Sequence, residues 1–286
     1  MRHGGLGRRF FPRRRWAAGS GVSRVHVAGA RTVMFVVIVA FMAKWVLGGC
    51  DGRQVSPPLS KSGAVSPQAP PTGGWSIPLP EAEQRVCTAV AILIDTSGSM
   101  EQSVRGSTGG QQQKYVLAQE ALKRIVAYTA EWQKNHTDRL LNVGIYRFSS
   151  SPVQILPMGE FRADQADAAV SSIGRPGGGT AIGEALTVGF KALYQSGCTR
   201  KHLVCITDGE NTVGPRPDRI AQQLYAQTKG EVELHFVAFD TSAKYFGFLN
   251  RVNGHVVEAA DGAQLQARLS EIYEKRILAE QMPAEK

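Results

Sequence analysis

Three short polar segments carry side chains able to act together: Asp95-Thr96-Ser97-Gly98-Ser99, Gly177-Gly178-Gly179-Thr180 and Thr207-Asp208-Gly209. Two carboxylates, Asp95 and Asp208, and three hydroxyls, Ser97, Ser99 and Thr180, are hard oxygen donors. Brought to one point, they suit a hard divalent cation. Mg²⁺ is favoured by a small octahedral set that keeps some of its waters, with Mn²⁺ or Ca²⁺ as alternatives. The glycines before Thr180 relax the backbone enough to swing that residue toward the two aspartates. Glu101 and Glu210 flank these segments and read as solvated loop charges.

Other chemistries fit the same segments poorly. Gly178 and Gly183 have the spacing of a phosphate-binding loop, but Glu184 stands where the phosphate-reaching lysine belongs, which speaks against a nucleotide. A haloacid-dehalogenase-like phosphatase needs a second aspartate where Ser97 stands, and the chain has no Gly-x-Ser-x-Gly nucleophile elbow. His136, His202, His235 and His255 lack metal-ligand spacing in the sequence and read as structural.

The elements that must position the oxygen donors follow from apolar patterning. Thr88 to Ile94 is a continuous apolar run of strand length, as in a strand buried on both faces of a parallel sheet. Further strands are expected at 141–148, 153–156, 202–207, 232–239 and 256–257. Helical spacing relates Tyr115, Ala118, Leu122, Ile125 and Trp132, then Ile182, Leu186, Gly189 and Leu193, then Ile220 and Leu224. Asp261 with Gln264 reads as a capping box opening a last helix that carries Leu265, Leu269 and Ile272. Alternating strands and helices predict a doubly wound, mainly parallel α/β sheet with helices on both faces, whose ligands bind beyond the carboxyl ends of the strands.

At these loops the chain resembles the von Willebrand factor A domain and its metal-ion-dependent adhesion site. Asp95, Ser97 and Ser99 match the family's Asp-x-Ser-x-Ser, and Thr180 and Asp208 match its separate Thr and Asp. The resemblance covers roughly residues 86–280. It implies direct ligation by Ser97 and Ser99, by Thr180 when ligand is bound, and action of Asp95 and Asp208 largely through water. A cation so held keeps much of its charge and attracts an Asp or Glu presented by a partner protein. The strands led by Cys87 and Cys198 are neighbours in this family, which implies a disulfide between them and leaves Cys205 free and buried.

The N-terminus reads as an address. Residues 1–50 contain Arg2, Arg8, Arg9, Arg13, Arg14, Arg15, Arg24, Arg31 and Lys44 and no acid, so the formal charge of +9 belongs there. The remainder holds 24 basic and 24 acidic residues, which calls for no nucleic acid. An apolar run from Val33 to Ala43 follows the basic stretch, too short for a stable transmembrane helix. Leu47-Gly48-Gly49-Cys50 resembles a lipobox, making Cys50 the candidate lipidated residue, with an uncleaved N-terminal anchor as the alternative. Residues 50–80, with seven of the 14 prolines, read as a tether of at most roughly 90 Å.

The expected organisation is therefore a leader over 1–49, a tether over 50–80 and the folded domain over 81–286. The expected protein sits in the cell envelope, anchored to the membrane on its extracytoplasmic side, and binds a protein partner through the cation. Two alternatives stand beside this binding module. One is a metal-dependent hydrolase or its accessory subunit using the same Asp95 and Asp208, for which the sequence offers no convincing nucleophile or general base. The other is a structural envelope protein whose cation only supports the fold.

Overall fold

The computed structural model describes residues 76–279. The leader, Cys50 and most of the tether lie outside the described residues. Among the described residues no helix is long and apolar enough to cross a membrane.

A strand buried on both faces anchors the architecture. In β1 (Arg85–Asp95), Val90, Ile92 and Ile94 face one apolar cluster while Ala89, Ala91 and Leu93 face another. The period of two makes one continuous apolar run serve both layers. The other sheet strands are β4 (Leu141–Phe148), β5 (Pro152–Glu160), β6 (Cys198–Thr207), β7 (Val232–Phe239) and β8 (Gly254–Ala259). A small hairpin of β2 (Ser103–Arg105) and β3 (Gln111–Gln113) stands apart. The sheet runs β5-β4-β1-β6-β7-β8, parallel throughout except for β5, which pairs antiparallel with β4.

Helices α1 (Lys114–Asn135), α2 (Ala163–Ser171) and α5 (Gly262–Ile272) cover the face that holds Val90 and Ile92. Helices α3 (Ile182–Gln195) and α4 (Pro217–Thr228) cover the other. The chain leaves β1 toward β4 on one side and later returns to β6 on the other, so the direction of winding reverses between β1 and β6. That reversal opens a crevice at the carboxyl ends of these two strands.

Most expected elements are present, with three differences. The edge strand expected over 153–156 extends across Pro152–Glu160, because antiparallel pairing with β4 continues past its short apolar core through two irregularities of register. Helix α2 was not anticipated, since its buried side is made of Ala166, Ala169 and Val170, whose apolar signal is weak. The folded domain also begins earlier than residue 81. Ile77 is buried in the α3/α4 cluster, and its carbonyl accepts a hydrogen bond from Gln227 Nε2 at 3.2 Å.

The last helix opens as its sequence implies. Asp261 Oδ1 accepts from Gln264 N at 2.8 Å, while Gln264 Oε1 reaches back to Ala260 N at 3.2 Å, one residue before the usual capping-box position. Past Ile272 the chain continues as a wider π-helical turn over Tyr273–Ile277.

Candidate metal centre

The site is built first from the end of β1. Asp95 is fully buried at the last position of the strand, where the apolar run stops. The chain then makes a 3-10 turn over Gly98–Glu101, anchored by the fully buried Met100. Both Asp95 oxygens are occupied: Oδ1 accepts from Ser97 N at 2.7 Å and Oδ2 from Thr207 Oγ1 at 2.6 Å. Asp95 thus orients the serine loop and ties β1 to the end of β6. Burial raises its carboxyl to about 6, against the opposing hydrogen bonds from Thr207 and Ser97. A nearby cation would relieve that cost.

The hydroxyls converge beside it. Ser97 Oγ lies 3.1 Å from Ser99 Oγ, and Ser99 Oγ donates to Asp208 Oδ1 at 2.7 Å. An octahedral Mg²⁺ with Mg–O bonds of about 2.0–2.1 Å sets adjacent ligand oxygens about 2.9 Å apart. The Ser97–Ser99 spacing is close to that value, so both hydroxyls can reach one small divalent cation, with Asp208 held behind Ser99 as its hydrogen-bond acceptor.

Thr180 is delivered by backbone stitching. Gly98 N donates to Gly178 O at 3.1 Å and Gly177 N to Thr96 O at 2.8 Å, joining the glycine loop to the serine loop. Gly178 needs its missing side chain: its φ is +83°, and a Cβ there would lie 2.6 Å from Ser150 Oγ. Thr180 N donates to Thr212 Oγ1 at 2.8 Å and its carbonyl accepts from Thr212 N at 2.9 Å. This buried threonine is therefore gripped by its backbone from the loop that follows Asp208.

One participant escaped the sequence reading. Lys114, the first residue of α1, is buried and donates from Nζ to Asp208 Oδ2 at 2.9 Å and to Gln102 Oε1 at 3.2 Å. The same ammonium lies 3.0 Å from Asp240 Oδ2. Burial by itself would lower the Lys114 ammonium, but its bonds and charge attraction to Asp208 and Asp240 outweigh this and raise it. A signal was present, since a lysine at a helix N-terminus opposes the helix dipole and needs a local reason. Lys114 offsets part of the carboxylate charge, so a bound cation would keep more of its own.

The family model described as the von Willebrand factor type A domain matches residues 89–272. The chain belongs to that family. Among solved structures, the PilB minor pilin from Streptococcus sanguinis is 15% identical, with a TM-score of 0.55 over 68% of this chain and 62% of that one. Proximal thread matrix protein 1 from the mussel byssus, with a zinc-occupied MIDAS motif, is 17% identical, with a TM-score of 0.51 over 66% of this chain and 48% of that one. A von Willebrand factor type A protein from Catenulispora acidiphila is 19% identical, with a TM-score of 0.50 over 65% of this chain and 42% of that one. The match thus spans less than two thirds of each of these chains. No curated protein matches the sequence.

The remaining expectations fall at the other end of the sheet. Cys87 and Cys198 form a disulfide with Cα atoms 4.8 Å apart, and Cys205 is free and buried. His202, His235 and His255 do not stay apart as their sequence spacing suggested: parallel pairing stacks them side by side.

Proposed function

We propose that this von Willebrand factor A domain carries a complete metal-ion-dependent adhesion site and captures an acidic group of a protein partner through a bound divalent cation, Mg²⁺ first. Ser97, Ser99 and Thr180 would hold the ion, with Asp95 and Asp208 ordering the hydroxyls and the waters between. The observation that carries this reading is the hydrogen-bonded chain of oxygens from Ser97 through Ser99 to Asp208, with the two serine hydroxyls near ligand spacing, at the point where the sheet reverses. With few carboxylates in direct contact, the cation supplies an electrophilic place that an Asp or Glu fills.

The surface beside the site supports an acidic partner. A cleft of about 480 Å³ reaches Ile182 and Glu210, each two residues beyond a site residue in sequence, and is lined by Lys244, Tyr245 and Arg251 together with an Arg216–Asp218 pair. The zinc-occupied site of the byssus protein supports a divalent cation in this fold. The lipobox-like Leu47 to Cys50 supports a lipid anchor, or failing that an N-terminal one, with the domain held outside the cytoplasm on its proline-rich tether. Oxidised Cys87 and Cys198 agree with that compartment. We take the domain as a binding module and not an enzyme.

The test is recovery of envelope proteins on immobilised residues 69–286, a span that includes Ile77, in Mg²⁺, in EDTA, and with a Thr180→Ala bait. The expected result is a partner retained only by the native bait in Mg²⁺. Equal recovery in all three conditions would overturn metal-bridged capture.

A further inference from the structure

At the end of the sheet remote from the oxygen site, we infer that His202, Glu233 and His235 form a second metal site for a divalent cation of the zinc class. This site is independent of the function proposed above. Its residues share one face of the sheet for a simple reason. Glu233 and His235 are two apart on β7, His202 is in register with Glu233, and His235 is in register with the exposed His255. The same face carries Val204, Val237 and Val257 into the layer under α1 and α5. At the amino ends of the strands that apolar lining gives way to imidazole.

The distances are those of a coordination sphere. His202 Nδ1 lies 3.3 Å from His235 Nε2 and 3.4 Å from Glu233 Oε2, and His235 Nε2 lies 3.8 Å from Glu233 Oε1. One ligand atom from each of the three lies within 4.8 Å of the others. A tetrahedral zinc ion with bonds of about 2.0–2.1 Å sets its ligand atoms about 3.3 Å apart. The half-exposed His255 Nε2 lies 3.6 Å from Glu233 Oε1, and it or a water would complete four ligands.

The protonation state suits ligation. Burial lowers His202 to about 4 and His235 to about 3, so both rings are neutral at pH 7 and keep a lone pair. Two neutral imidazoles facing each other through Nδ1 and Nε2 satisfy that contact with a single shared proton, which a metal ion would replace. Arg276 Nη1 lies 3.9 Å from Glu233 Oε1, and Arg200 is held nearby by hydrogen bonds to the carbonyls of Arg276 and Ile277. Arg276 is 56% exposed, so it can balance Glu233 without the ion and turn to solvent when the ion binds. Two imidazoles with one carboxylate favour Zn²⁺, Co²⁺ or Cu²⁺ over Mg²⁺, the opposite preference from the oxygen site.

The experiment uses the full chain carrying Ser97→Ala and Thr180→Ala, to disable the oxygen site, dialysed against Zn²⁺ in excess Mg²⁺. One zinc per chain is expected, and Co²⁺ in its place should give the intense d–d absorption of a tetrahedral centre. Adding Glu233→Gln, which keeps the side chain's size, should weaken zinc binding by roughly 100-fold and abolish the cobalt band, with the far-ultraviolet circular dichroism unchanged. His235→Gln should do the same, and Glu233→Gln alone decides if that variant fails to fold. No retained zinc, or zinc retention untouched by Glu233→Gln, would overturn the site.

Discussion

The two ends of one sheet are built on opposite plans. At the carboxyl ends of β1 and β6, the polar groups sit at the last strand position or on the loops beyond, are oxygen only, and are fixed by hydrogen bonds within and between those loops. At the amino ends, the groups sit on the strands themselves: a disulfide joins β1 to β6, and imidazoles stack across β6, β7 and β8. Loops can shift by a fraction of an ångström to exchange a ligand, whereas strand positions are set by the ladder. The carboxyl end therefore suits the reversible capture proposed above, and the amino end suits a fixed structure.

The largest effect expected from this contrast concerns the covalent tie. The disulfide closes a separation of 111 residues, so Cys87→Ser with Cys198→Ser should lower the unfolding free energy by about 4–5 kcal/mol, read as a fall in the denaturant midpoint. Mg²⁺ affinity of the folded fraction should not change. A joint loss of stability and affinity would mean that the two ends are coupled.

Next is Lys114→Met, which strips Asp208 of its buried countercharge. The cost without divalent cation should be about 3 kcal/mol by thermal or denaturant unfolding. Saturating Mg²⁺ should return part of it, because the ion replaces the lost positive charge. A variant as stable as the parent in EDTA would show that this ion pair does not hold the carboxyl end together.

The ends should also answer acid with opposite signs. His202 and His235 have folded values lowered to about 4 and about 3, so the unfolded chain binds more protons below about pH 6.5 and stability is lost as pH falls through that window. Asp95, raised to about 6, works the other way: the folded state takes up a proton first, and stability is regained between about pH 6 and 4. In EDTA the native protein should lose on the order of 3 kcal/mol between pH 7 and 4. With His202→Gln and His235→Gln together the change from pH 7 to 5 should reverse sign. Unfolding curves at the two pH values decide it, and an unchanged slope would separate acid sensitivity from the imidazoles.

The smallest expected effect refines the picture of the loops. Gly178→Ala places a methyl against Ser150 in a left-handed backbone, so it should cost about 1–2 kcal/mol and loosen the delivery of Thr180. Mg²⁺ affinity, measured by calorimetry, should fall several-fold. If stability falls and affinity does not, Thr180 is positioned by its bonds to Thr212 alone.

Much of this molecule could be read from the chain. The unbroken, β-branched apolar run through β1 read as a strand covered on both faces, and a polar segment that directly follows such a strand lies at the carboxyl edge. The gathering of Asp95, Ser97, Ser99 and Asp208 was therefore legible from residue type and from position at the strand ends, whereas Thr180 precedes a helix and was picked out by its glycine loop and by the family resemblance. Lys114 was not read as part of the site, because its partners Asp208 and Asp240 are distant in sequence. Helix α2 was missed because an alanine-lined face has little hydrophobic contrast, and Ile77 because a single buried residue in a proline-rich stretch has no periodicity to reveal it.

The sequence alone determined the layered α/β class and the chemistry of the oxygen cluster, because local apolar periodicity and donor type are properties of short segments. Only the tertiary structure decided which residues meet across strands. Parallel pairing sets His202 beside Glu233 and His235 beside His255, and a spacing of 33 residues between His202 and His235 carries no trace of a 3.3 Å contact. In a parallel sheet, neighbours are chosen by strand order and register, and those are fixed by the packing of the whole core.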